Sequence, residues 1–314
     1  MNLHQFRFVQ EAVRRDLNLT ETAKALHTSQ PGVSKAIIEL EEELGVDIFV
    51  RHGKRIRRVT EPGLQVLKSI EVIMRELANL KRIGDEFSKQ EAGTLSIATT
   101  HSQARYFMPM AVAALRKRYP RVQVVLHQGT PADVARMLLN DVADIGLATE
   151  MLTEVDGLVS LPCYEWQHVI VVPPGHPLAQ VERPTLEQLA AEPLITYHRT
   201  FSGRSKLDAA FERARLTPVI ALEAIDADVI KTYVRLGMGV GVVAEVAVRD
   251  DPAGGDLVSR PVGHLFGRNT TRVAFKRGAY LRQFVFSFAE MLSDRLTRPL
   301  LERALSGTPQ SYDL

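Results

Sequence analysis

The chain has 314 residues, 45% of them hydrophobic and 24% charged, and 39 Lys and Arg against 37 Asp and Glu leave a formal net charge of +2. That balance excludes a disordered polyelectrolyte, and the length asks for two or three domains rather than one small core. A single cysteine, Cys163, excludes an intrachain disulfide framework and a Cys-rich zinc cluster. The opening MNLHQFRFVQEAVRRD mixes charged and apolar residues where a secretory signal would be basic and then apolar. No later stretch stays apolar for about 18 residues, so a cytoplasmic, unanchored protein is expected.

In chain order, Leu3, Phe6, Val9 and Val13 recur at helical spacing and predict a first helix with one buried face. Asn18 followed by Glu21 has the spacing of an N-cap with a reciprocal carboxylate, which predicts a short second helix from about Leu19 to Leu26, with Ala23 and Leu26 inward. After a turn at His27-Thr28, Ser29 can cap a third helix. Pro31 stands where a missing N–H costs nothing, and Val33, Ile37, Leu40 and Leu44 mark the buried stripe. Two short helices joined by a tight turn make a helix-turn-helix, whose second helix reads the major groove with its N-terminal residues. Gln30, Ser34 and Lys35 face outward there. Gln suits adenine, Lys suits guanine or phosphate, Ser suits either, and Ser29 at the helix start adds a phosphate donor. Arg51, Lys54, Arg55, Arg57 and Arg58 surround His52-Gly53 with no acid among them, as a basic β-wing on the DNA backbone would. A plain helical bundle with a solvated basic loop is the alternative at this point. The run Glu41-Glu42-Glu43 reads as a solvated face.

From Glu61-Pro62 onward, Val66, Ile70, Ile73, Leu77, Leu80 and Phe87 fall on a 4,3,4,3,7 spacing, a heptad seam interrupted at Gly84. Such a seam needs a partner, and a second copy of the same helix supplies one, so a dimer is expected, packing against the chain's own C-terminal domain being the alternative. The polar run Lys89-Gln90-Glu91-Ala92-Gly93 ends the helix. Beyond it LSIATT, VQVVLHQ, ADIGLATE, HVIVVPP, PLITYH and VGVVAEV are strand-like and alternate with helical stretches such as Gln103 to Arg118, the pattern of an α/β domain. Two lobes with a cleft are expected, the stretch TTRVAFKR returning to complete the first. Thr100, Ser102 and Gln103 follow the first strand where a helix begins, Thr149 ends the third, and Ser202-Gly203 opens a later helix with Arg204 close by. Hydroxyls and free N–H groups at helix starts suit an anion, although each hydroxyl taken singly is also an ordinary cap. GMGVG at 237–241 follows a helix and precedes a strand, the wrong order for a dinucleotide loop. The histidines His101, His127, His168 and His176 lack ligand spacing, Trp166 reads as packing, and no catalytic elbow, Walker loop or carboxylate pair stands out. Neither a metal, a cofactor nor an enzyme activity is expected, and GTPQSYDL reads as a frayed tail.

ETAKAL, TSQPGVSK, LEEELGVDIF and VR match, in order and spacing, the signature of LysR-type regulators, and the N-terminal segment resembles their winged helix-turn-helix. The resemblance implies DNA contacts from Ser29, Gln30, Pro31, Ser34 and Lys35, wing contacts from Arg51, Lys54 and Arg55, and a linker helix that pairs two heads in a homodimer or homotetramer. ATTHSQARY, YPRVQVVLHQGTP, LPCYEW, SGRSKLDAAF, DADVIKTYVRLGMGVGVVAEVAV and NTTRVAFKRG resemble the branch of that family that governs sulfur assimilation and cysteine biosynthesis. It implies a fold of α/β class with an N-terminal α-helical winged helix-turn-helix at 1–60, a linker helix at 61–89 and a two-lobed, periplasmic-binding-protein-like effector domain at 90–314. Lobe I would span about 94–161 and 268–300, lobe II about 162–267. It further implies that Thr100, Ser102, Gln103, Thr149 and Ser202 bind a sulfate-like anion or sulfur metabolite: acetylserine, sulfate, thiosulfate or adenosine phosphosulfate. An unrelated small anion is the alternative. Serine at 102 and 202 replaces the threonine of these relatives, keeping the hydroxyl and losing a methyl contact. Promoter DNA and RNA polymerase are the implied macromolecular partners, and a membrane is not.

Overall fold

Residues 1–53, 55–88, 92–249 and 256–306 are described by the computed structural model, the side chains of Glu86, Ser88 and Ser202 excepted. Lys54, the Lys89-Gln90-Glu91 run and the 307–314 tail therefore lie outside the described residues. The chain divides into two units, Met1–Gly84 and Asp85–Leu314.

In the first unit the helix α1 (Leu3–Arg14) opens with a reciprocal cap in which Asn2 accepts the Gln5 amide and Gln5 accepts the Asn2 amide, closing donors that a helix start leaves open. Helix α2 (Leu19–Ala25) is capped by Asn18, which accepts the Thr20 and Glu21 amides. Contrary to the expected reciprocal cap, the Glu21 side chain bonds Lys24 at 2.8 Å, because a cation one turn on outcompetes a backbone amide. Helix α3 (Gln30–Leu44) starts at Ser29 and stops at Gly45, whose φ of 68° a glycine adopts without strain. Strands β1 (Phe49–His52) and β2 (Arg55–Val59) pair antiparallel as the wing, with an irregularity between Val50 and Arg51. Phe6, Val9, Val33, Ile37, Leu40, Ile48 and Ile56 form the core.

The long helix α4 (Glu61–Ser88) contributes Leu67 and Ile70 to that same core, with Val66 and Met74 against it. The expected seam is therefore two surfaces. Its first residues pack inside their own head, whereas Ile73, Leu80 and Phe87 are exposed in the single chain, Phe87 by 75%.

The second unit is built on a nine-stranded sheet. Strands β3 (Ala92–Thr99), β4 (Arg121–Gln128) and β5 (Ile145–Ala148) run parallel in the order β4-β3-β5. Next comes β6 (Leu158–Val172), a strand of 15 residues that serves both lobes. Further on lie β7 (Leu194–Tyr197), β8 (Ile220–Ala224), β9 (Val240–Ala244), β10 (Val258–Pro261) and β11 (Arg268–Lys276). Residues 158–167 of β6 pair with β11, which in turn pairs with β5, so both close lobe I. Residues 168–172 pair with β9 and β10, beyond which lie β7 and β8, forming lobe II. Helices cover both faces of each lobe, as α/β layering requires: α5 (Pro109–Arg118) and α6 (Pro131–Leu139) on lobe I, and α7 (Leu186–Ala190), α8 (Ser202–Arg213) and α9 (Ala227–Arg235) on lobe II.

The helix expected from Gln103 to Arg118 is broken. Gln103–Phe107 forms a π-helical turn, closed by the Met108 amide on the Gln103 carbonyl at 2.9 Å, and α5 restarts at Pro109. Proline lacks the N–H and crowds the preceding turn, which forces the break. GMGVG is the expected helix-to-strand turn: Gly239 has φ 150°, and a Cβ there would meet the Pro193 carbonyl oxygen at 2.2 Å.

Candidate DNA-reading surface and effector cleft

The N-terminal turn of α3 and the wing strand β1 border one concavity of about 630 Å³, with Gln30, Pro31, Ser34, Lys35 and Arg51 on its wall. Ser29 accepts the Gly32 amide at 3.2 Å, which leaves its hydroxyl hydrogen free to be donated. Pro31 and Lys35 are exposed and Gln30 and Ser34 half-buried. Lys35 lies 3.7 Å from Glu39 in a solvated pair of little energetic weight. Arg55, Arg57 and Arg58 project to solvent from β2 on either side of buried Ile56. Of the expected reading residues, the concavity brings together Gln30, Pro31, Ser34, Lys35 and Arg51, whereas Ser29 and Arg55 are exposed outside its lining and Lys54 lies outside the described residues.

The acidic run corrects the sequence reading. Glu42 and Glu43 are solvated, but Glu41 is 7% exposed and accepts the Ile48 and Phe49 amides at 2.9 Å each and the Arg51 guanidinium at 3.0 Å. Arg51 also reaches Ser34 at 3.5 Å. Glu41 is inward because it lies one position after Leu40 on the flank of the buried stripe, where the incoming β1 strand brings two amides that no strand partner takes.

In the second unit, β3 and β5 are neighbours, so Thr100 and Thr149 follow adjacent strand ends, and each is 6% exposed. Gln103 is 4% exposed and bonded at both ends of its amide, donating to Thr271 at 3.2 Å and accepting from Tyr164 at 2.5 Å. Burial pushes the Tyr164 hydroxyl up to about 12, keeping it a neutral donor. Ser102 is half-buried, and Tyr197, at the end of β7, accepts the Ala244 amide through its hydroxyl at 3.3 Å. The backbone of Gly203, next to Ser202, packs so closely on the hinge strand that a Cβ would lie 2.8 Å from His168 and 3.2 Å from Trp166. The Ser202 side chain lies outside the description. Arg204, which stood beside the expected anion site, bonds Asp208, Glu223 and the Tyr197 carbonyl and is 1% exposed, so its charge is used inside lobe II. The expected effector residues whose side chains are described, Thr100, Ser102, Gln103 and Thr149, are uncharged, while Arg199 and Lys206 line a pocket with Glu150 and Phe201.

Trp166, read from the sequence as packing, and Asn269, not singled out there, form a further buried pair. They face each other across β6 and β11, Trp166 is 7% and Asn269 0% exposed, and Trp166 Nε1 and Asn269 Oδ1 have no partner in the protein. His168 packs edge-on against Trp166, and burial, with the Lys206 charge added, holds it down at about 4.

A second interlobe cluster centres on Asp228 at the start of α9. Tyr106 donates to it at 2.5 Å, Arg105 lies at 2.6 Å and Lys231 at 3.1 Å. Burial alone would raise the Asp228 carboxyl, yet Tyr106, Lys231 and Arg105 together hold it below the usual range. His101, Asp226 and Asp228 place ligand atoms within 4.8 Å of one another, which the sequence spacing had not shown. Two cations already on Asp228 make the group an ion-pair junction rather than a metal cradle.

Two family models match. Residues 3–64 match the bacterial regulatory helix-turn-helix protein, lysR family, and residues 88–297 the LysR substrate binding domain. The chain is 56% identical to the HTH-type transcriptional regulator CysB of Burkholderia cenocepacia over 314 residues, all of both chains. It is 46% identical to the HTH-type transcriptional regulator cbl of Klebsiella aerogenes over 96% of each. Among solved structures, the cofactor-binding domain of the Cbl transcriptional regulator superposes with a TM-score of 0.66 at 42% identity, covering 70% of this chain and 96% of that one. These relatives are named as regulators, not enzymes, and no helix among the described residues is long and apolar enough to cross a membrane.

Proposed function

The chain belongs to the LysR family of bacterial transcriptional regulators, and from that premise we propose that it is a cytoplasmic regulator of sulfur and cysteine metabolism genes, controlled by a small sulfur-related effector. The observation that carries the reading is identity of 56% to a CysB regulator along the whole chain, matched by buried, uncharged Thr100, Gln103 and Thr149 at the expected effector positions. Sulfate-like anions and acetylserines are bound well by hydroxyls and helix-start amides, which supply directed hydrogen bonds without a fixed charge. Thr100, Ser102, Gln103, Thr149 and Ser202 hold the effector, Gln103 through what its amide retains beyond Thr271 and Tyr164. Trp166 and Asn269 add a donor and an acceptor at the hinge.

The DNA-reading residues are Ser29, Gln30, Pro31, Ser34 and Lys35 on α3 and Arg51, Lys54 and Arg55 on the wing. Domain limits of 1–60, 61–89 and 90–314 fit this division of labour. The exposed apolar residues Ile73, Leu80 and Phe87 pair with a second copy in a homodimer or homotetramer that works with RNA polymerase at the promoter. The effector acts through its difference in affinity for two lobe arrangements.

Calorimetric titration of the full chain with sulfate, thiosulfate, adenosine phosphosulfate, O-acetylserine and N-acetylserine tests the cleft. Selective binding by one of them, weakened about tenfold in Thr100→Val, is the expected outcome. Binding by none removes the sulfur assignment and turns the search to other small anions.

A further inference from the structure

Among the described residues of the first unit, Glu41 is the only buried carboxylate, and it touches the reading surface from behind. One oxygen, Oε1, is occupied by the first two amides brought in by the wing, Ile48 and Phe49. The other, Oε2, takes one arm of the Arg51 guanidinium, whose second arm lies against Ser34 Oγ. Arg51 keeps 23% of its side chain exposed on the concavity beside Gln30 and Lys35. Guanidinium is planar, so one arm held by a buried carboxylate fixes the plane in which the remaining N–H groups point.

We propose that Glu41 is a positioning residue for sequence reading: it aims the Arg51 guanidinium at the Ser34 side of α3 and cancels its charge, so that Arg51 adds directed hydrogen bonds and little long-range attraction. This role rests on the DNA-reading surface proposed above. It separates Glu41 from a mere staple of β1, because a staple affects every DNA sequence alike, whereas an aiming residue affects preference. Glu41→Gln makes the distinction. The glutamine carbonyl still accepts the two amides, while its neutral amide group faces Arg51 and releases the charge.

The test uses the full-length protein, a duplex that the wild type enriches from a random-sequence pool, and a shuffled duplex of the same length, each titrated across a salt series. Glu41→Gln is expected to lower the preference for the enriched duplex about tenfold. Binding of the shuffled duplex is undiminished, and the salt slope steepens by up to about one. In an Arg51→Ala background the same change moves the preference no further. Arg51→Lys leaves Glu41 and its strand amides in place, so it probes the fork even where Glu41→Gln folds poorly. It is expected to lose preference about tenfold with the salt slope unchanged. Parallel loss on both duplexes in Glu41→Gln, a full effect persisting without Arg51, or unchanged preference in Arg51→Lys would each overturn the aiming role while leaving the reading surface in place. Failure of the wild type to enrich any duplex would overturn the reading surface and this role with it.

Discussion

The two units treat buried polar groups differently. In the first, Glu41 is bonded through both oxygens, the Thr22 hydroxyl donates to the Asn18 carbonyl at 2.8 Å, and Asn2, Asn18 and Ser29 close their helix starts. Among the described residues, every buried side-chain nitrogen or oxygen without a partner lies in the second unit: on His101, Glu150, Trp166, Arg260 and Asn269. Each such atom costs about 1–3 kcal/mol. The first unit meets its buried polar groups within its own chain, whereas Trp166 and Asn269, on the paired strands β6 and β11, keep hydrogen-bonding capacity that no protein group takes.

The largest expected effect tests the completeness of the head. Glu41→Ala leaves two buried amides and a partly buried guanidinium without their acceptor, and a loss of about 3–5 kcal/mol in the stability of the first unit is expected in urea melts. A change below about 1 kcal/mol would show that water replaces the carboxylate and would break the comparison.

Next comes acid. His168 is held down at about 4 in the fold, against an ordinary value of 6.5, by burial and the Lys206 charge. Its neutral form is the folded form, so this contribution is fully present above about pH 6.5, falls as pH drops toward 4 and amounts to up to about 3 kcal/mol. Stability of the second unit is therefore expected to fall over that window, and His168→Gln to flatten the profile. An unchanged profile in the variant would assign the acid sensitivity elsewhere.

The smallest effect on stability is the sharpest for the comparison. Trp166→Phe removes an indole N–H that has no partner in the protein, so thermal stability should move by less than about 1 kcal/mol, while effector affinity falls about tenfold in the same calorimetric titration. Equal losses in both would make Trp166 a packing residue, as its sequence context had implied.

Much of the architecture was legible because it is local. The Ser29 cap, the proline one position into α3, the stripe Val33-Ile37-Leu40 and the glycine turn at 237–241 act within a few residues and are where their chemistry puts them, whereas Leu44, expected to extend the stripe, is exposed in the last turn of α3. Legibility ends where a competing or distant partner decides the outcome. Glu21 had a nearer cation than its cap; Pro109 split the helical stretch expected from Gln103 to Arg118; the α4 seam divided because Val66 and Ile70 met the core of their own head. Periodicity shows which face is apolar, not what covers it.

By itself the sequence determined the class of each segment: a helix-turn-helix with a basic wing, a long apolar-striped helix and an α/β domain of alternating strands and helices, because side-chain period and capping are properties of neighbours along the chain. Only the tertiary structure decided which polar groups are used up and which remain available. Glu41 became a buried anchor because β1 arrives beside α3, Arg204 turned into lobe II to meet Glu223, and Trp166 and Asn269 came face to face because β11 returns across more than a hundred residues to pair with β6. Hydrogen bonds depend on distance and direction in space, and those are set by packing among segments far apart in the chain.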